Sequence, residues 1–84
     1  MTTTSDQLSP GDQRRAVSLL LHTIGRDRIG IATVIEEAED LERSPHLIVA
    51  LCHLTTTFAP PLLLPQGQAA LRATAALLAA DEDN

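Results

Sequence analysis

The chain has no lysine, tryptophan or tyrosine, and only one cysteine, one methionine and one phenylalanine among 84 residues. Each scarcity excludes something. A lone cysteine, Cys52, rules out an intrachain disulfide. A lone aromatic ring, Phe58, leaves no series of rings on which nucleic-acid bases could stack. The six basic residues are all arginines and face eleven carboxylates, giving a formal net charge of −5. That balance opposes nonspecific attachment to nucleic acid or anionic membrane, both of which rely on basic side chains and released counterions. Met1 to Leu8 lack the basic and apolar segments of a secretory signal, which sets a cytoplasmic expectation.

What is present is aliphatic. Hydrophobic residues make up 44% of the chain and are almost all Leu, Ala, Ile and Val. From Ser44 to Leu71 there is no charged residue. A membrane-spanning helix needs about 20 mostly apolar residues, and this stretch is interrupted by His46, His53, three threonines and the Pro60-Pro61 pair. The pattern favours a buried helix followed by an apolar loop over a membrane span.

Four helices are expected, over 9–24, 27–43, 45–58 and 66–80. Ser9 and Pro10 form an N-cap and first-turn signal, with Asp12 at the positive end of the dipole. Val17, Leu20, Leu21 and Ile24 follow at the spacing of one helix face, and Gly25 stands where a C-terminal stop belongs. Asp27 can cap the second helix, whose inward stripe is Ile31, Val34, Ile35, Ala38 and Leu41. Its other face carries Glu36, Glu37, Glu39, Asp40, Glu42 and Arg43, read as solvated. Gly30 in its first turn costs about 1 kcal/mol relative to alanine in a helix interior, so it either delays the helix start by a few residues or allows close approach of helix one. Ser44-Pro45 opens the third helix, apolar on nearly every side and so expected to be the most buried. Pro60 and Pro61 must end it.

Leu62, Leu63 and Leu64, fenced by prolines, read as an extended apolar connection. In the fourth helix Ala69, Ala73, Ala76 and Ala80 mark a narrow seam, while Leu71, Leu77 and Leu78 lie elsewhere on the same helix. That helix has more apolar surface than one neighbour would cover. The whole predicts an all-α chain, a compact array of four short helices that dimerises. A disordered tail is expected over 1–8, one helical domain over 9–80 and a frayed acidic end over 81–84. The run from Leu19 to Leu41 lacks the Thr-Pro-Leu-His signature of an ankyrin repeat and no copy of it follows, so no repeat array is expected.

Chemical motifs are sparse. His46, Cys52 and His53 are metal-ligand types, but adjacent helical residues point about 100° apart and paired ligand spacings are missing. Cys52 reads as a small buried hydrophobe. No glycine-rich loop or convergent polar set suggests catalysis. We therefore expect no catalytic residues, no metal and no cofactor. The expected function is a non-enzymatic protein-interaction module, an adaptor, inhibitor or regulator working as a homodimer. Leu62, Leu63, Leu64, Leu71 and Leu78 supply the apolar contact, and Glu36 and Asp40 on the acidic face of helix two orient a basic partner. The alternative is a small DNA-binding regulator using Arg14, Arg15, Arg26 and Arg28. Against it stand the acidic charge and an apolar third helix unsuited to reading base edges.

Overall fold

The computed structural model describes residues 7–82; the tail expected over 1–8 and the end expected over 81–84 therefore lie partly outside the described residues. Four α-helices are present, α1 (Pro10–Ile24), α2 (Arg28–Asp40), α3 (Ser44–Phe58) and α4 (Pro65–Glu82), with a 3-10 turn at Pro60–Leu63. No strand occurs among the described residues. The chain divides into two units, Met1–Leu54 and Thr55–Asn84, with the boundary inside α3.

In the first unit, α1 begins with a complete capping box. The Ser9 hydroxyl accepts the Asp12 N–H, and the Asp12 carboxylate accepts the Ser9 N–H at 2.8 Å. Asp27 caps α2 by accepting the Gly30 N–H. Both helices end in the same way. At the end of α1, Asp27 N–H reaches His22 O and Arg26 N–H reaches Thr23 O. At the end of α2, Arg43 N–H reaches Ala38 O and Glu42 N–H reaches Glu39 O. These are Schellman pairs, which need one left-handed residue. The left-handed positions are Arg26 (φ 56°) and Glu42 (φ 58°), whereas Gly25 is ordinary right-handed backbone at φ −80°. The glycine stop read at Gly25 thus falls one residue early. The third start also shifts by one, because Leu47 N–H donates to Arg43 O and Ser44 is already helical.

The buried apolar residues of the first unit are Ala16, Val34, Ala38, Leu47 and Ala50, with Leu8, Leu19, Leu51 and Leu54 packed against them. Three of the five are alanines, which let backbones approach but bury little area. Gly30 serves the same end: a Cβ there would collide with the His22 ring of α1. His22 Nδ1 in turn lies 3.1 Å from Asp27 Oδ2.

Which faces are buried differs from expectation. α1 buries Asp12, Arg15 and Ala16. At roughly 100° per residue this face is turned about 140° from the Val17, Leu20, Leu21 and Ile24 stripe, all four of which are exposed, Ile24 to 72%. In α2, Val34 and Ala38 are buried, but Ile35 and Leu41 are exposed. α3 is one-sided too: Leu47 and Ala50 are buried, whereas Ile48 and Val49 are exposed, and so is Cys52, read from sequence as a buried hydrophobe.

In the second unit, the leucine connection is a 3-10 turn, not an extended segment. Leu62 N–H donates to Ala59 O and Leu64 N–H to Pro61 O, each at 3.0 Å. The fixed φ of proline suits such a turn as well as an extended chain. α4 then packs on the turn at Gly67, where a Cβ would collide with the Pro61 carbonyl. α4 continues through Asp81 and Glu82, two residues past the expected end.

Candidate functional site

The most developed polar arrangement is an ion-pair chain in the first unit. Asp12 is fully buried and Arg15 is 4% exposed. Arg15 Nη2 donates to Asp12 Oδ1 and Nη1 to Glu37 Oε1, both at 3.0 Å. Arg14 Nη2 reaches the same Glu37 oxygen at 2.7 Å. From the turn between α2 and α3, Arg43 Nε donates to Asp12 Oδ1 and its Nη2 to Asp12 Oδ2. Arg43 also holds the Gln7 carbonyl at 3.0 Å. With the Ser9 N–H, both oxygens of Asp12 are engaged by donors. The Arg43 guanidinium, helped by Ser9 and Arg15, holds the Asp12 carboxyl far below the ordinary carboxylate range despite burial. Arg15 and Arg14 lower that of Glu37, and Asp12 raises that of Arg43.

Both oxygens of the buried Asp12 carboxylate are engaged by donors, while Arg15 Nε is a buried donor without a hydrogen-bond partner among the described residues; the contacts tie α1, α2 and the following turn together. Sequence reasoning assigned Glu37 and Arg43 to a solvated face and missed the chain. The Asp12–Arg15 spacing of three was a local clue; the Arg43 contact, 31 residues away, had none.

The arginines suggested as a cluster separate into two pairs. Arg14 and Arg15 are committed to carboxylates, while Arg26 and Arg28 are exposed and outside any ion pair among the described residues. Glu36 and Asp40 are exposed and, with Thr33, Glu37 and Leu41, line an open surface depression of about 370 Å³. A second hollow, about 230 Å³, is lined by Leu8, Pro45, His46 and Val49. No group of three or more metal-ligating side chains gathers among the described residues, and none of their helices is long and apolar enough to cross a membrane.

The suggested apolar contact residues belong to the second unit. Leu62 is half-buried, whereas Leu63, Leu64, Leu71 and Leu78 are exposed by 53–63%. α4 contains no buried residue. Comparison with protein-family models, curated proteins and solved structures finds no match to this chain.

Proposed function

We propose that the protein is a non-enzymatic interaction module, an adaptor, inhibitor or regulator, that works as a homodimer through apolar helix surface. The observation that carries this reading is α4: eighteen residues long, with no buried side chain and with Leu71 and Leu78 open beside Leu63 and Leu64. Water-facing leucines on this scale mark a surface meant to be covered, and a twofold pair is the simplest cover for a single chain. Glu36 and Asp40, exposed on α2, orient a basic partner toward the assembled molecule.

Sedimentation or light scattering at rising concentration tests the reading. A dimer that becomes monomeric in the Leu71→Glu, Leu78→Glu variant supports it. A monomer at high micromolar concentration, with the double variant equally stable, removes the dimer. Retention of a labelled duplex at low salt, lost when Arg26 and Arg28 are replaced, would instead favour nucleic-acid binding.

A further inference from the structure

Two helices of this chain carry uncovered apolar stripes of matching length. On α1, Val17, Leu20, Leu21 and Ile24 are exposed because the helix buries the face of Asp12, Arg15 and Ala16 instead. On α4, Leu71, Ala75 and Leu78 recur at spacings of four and three, and all three are exposed. Each stripe runs over eight residues, about 10 Å of helix.

The charges just beyond the stripes are opposite. After Ile24 come Arg26 and Arg28, the arginines of the first unit that lie outside its ion-pair chain; the carboxylate between them, Asp27, is engaged by the Gly30 N–H and by His22. After Leu78 come Asp81 and Glu82, exposed and in no ion pair among the described residues; Glu82 continues the Leu71, Ala75, Leu78 spacing by four. Carboxylates at the C-terminal end of a helix face the negative pole of its dipole and are disfavoured there. An arriving cation relieves that repulsion. At the other end of α1, Arg14 and Arg15 are already bound to Glu37 and Asp12. The two stripes therefore match when laid parallel, with both charged ends together.

We infer that the occupant of the α1 stripe is α4 of a second copy of this chain, and that the twofold dimer is made by two equivalent contacts of this kind, each closed by Arg26 and Arg28 against Asp81 and Glu82. The inference rests on the homodimer reading above and specifies its geometry. In a twofold pair each copy gives one α1 and one α4 to its partner.

Charge exchange in the full-length chain tests it. One variant carries Arg26→Glu and Arg28→Glu; the other carries Asp81→Arg and Glu82→Arg. All four positions are exposed, and circular dichroism establishes that both variants keep their helicity. Each alone places like charges at both contacts, and its dimer dissociation constant should rise about tenfold or more, as expected for several misplaced charges at an interface. Mixed in equal amounts, they form one natural contact and one reversed but complementary contact, so a heterodimer of near natural affinity is expected. If both variants dimerise as the natural chain does, or if both are weakened and mixing restores nothing, the pairing of α1 with α4 is overturned while the homodimer reading survives. A natural chain that is monomeric at high micromolar concentration overturns both.

Discussion

At the scale of single residues, Asp12 is the side chain on which most depends. Removing it leaves the buried Arg15 guanidinium with only the half-exposed Glu37 and takes the carboxylate from Arg43, and losing half of a buried pair is far costlier than never having the pair. Asp12→Ala should lower unfolding stability by about 3 kcal/mol, read from the midpoint of urea denaturation. Acid should act on the same group. The carboxyls of Asp12 and Glu37 are lowered on folding from ordinary values of 3.8 and 4.5. Their contribution is thus complete above those values and is lost as pH falls through the lower folded-state ones. The thermal midpoint should decline as pH drops below about 4.5, and Asp12→Asn should show a shallower decline; parallel acid limbs for the two proteins would exclude the ion-pair chain as the cause. The left-handed residues invite the opposite result. A side chain there costs roughly 1–2 kcal/mol, partly offset by the greater freedom of unfolded glycine. Glu42→Gly should accordingly stabilise the chain by about 0.5–1 kcal/mol, measurable in the same denaturation experiment.

At the scale of elements, helix existence was legible and helix orientation was not. Capping boxes, Ser-Pro starts and apolar spacing are local, so α1 and α2 begin within a residue of where Ser9 and Asp27 place them. The apolar stripe of α1 correctly signals a helix, yet its buried face is chosen by Ala16 and by the reach of Arg15 to Glu37. That choice depends on α2, which no local pattern reveals. The turn over Pro60–Leu63 was misread because its prolines permit two backbone shapes; Gly67 under the Pro61 carbonyl accompanies the tighter one. Gly67→Ala is therefore diagnostic. In an ordinary helix the change stabilises by up to about 1 kcal/mol, whereas here the added methyl must displace backbone, and a loss of about 1–2 kcal/mol is expected. Amide exchange should locate the loss in the first turn of α4; unchanged protection there would mean that the close contact is not maintained in solution.

At the scale of the whole molecule, a small core gives the proposed association something to add to stability. The five buried apolar residues among the described residues of the first unit, three of them alanine, contribute little from burial. A homodimer that unfolds to monomers has a melting temperature that rises with protein concentration. The natural chain should show this rise, and Leu71→Glu with Leu78→Glu should abolish it; a concentration-independent melt of the natural chain counts against the proposed assembly. The proposed contact residues rest on composition and spacing, and the exposure of the α4 leucines agrees with the apolar excess read there. The exposed stripe on α1 was not legible, because a stripe of that pattern is ordinarily the buried one. By itself the sequence determined the helical class, the caps and breaks and the apolar excess of α4, all set by interactions within a few residues. Tertiary structure alone decided that Asp12 and Arg43 meet, that charged and small side chains line the inner face of α1, and that its aliphatic face turns to water. Those outcomes depend on distant segments competing for the same space, a competition that no local spacing records.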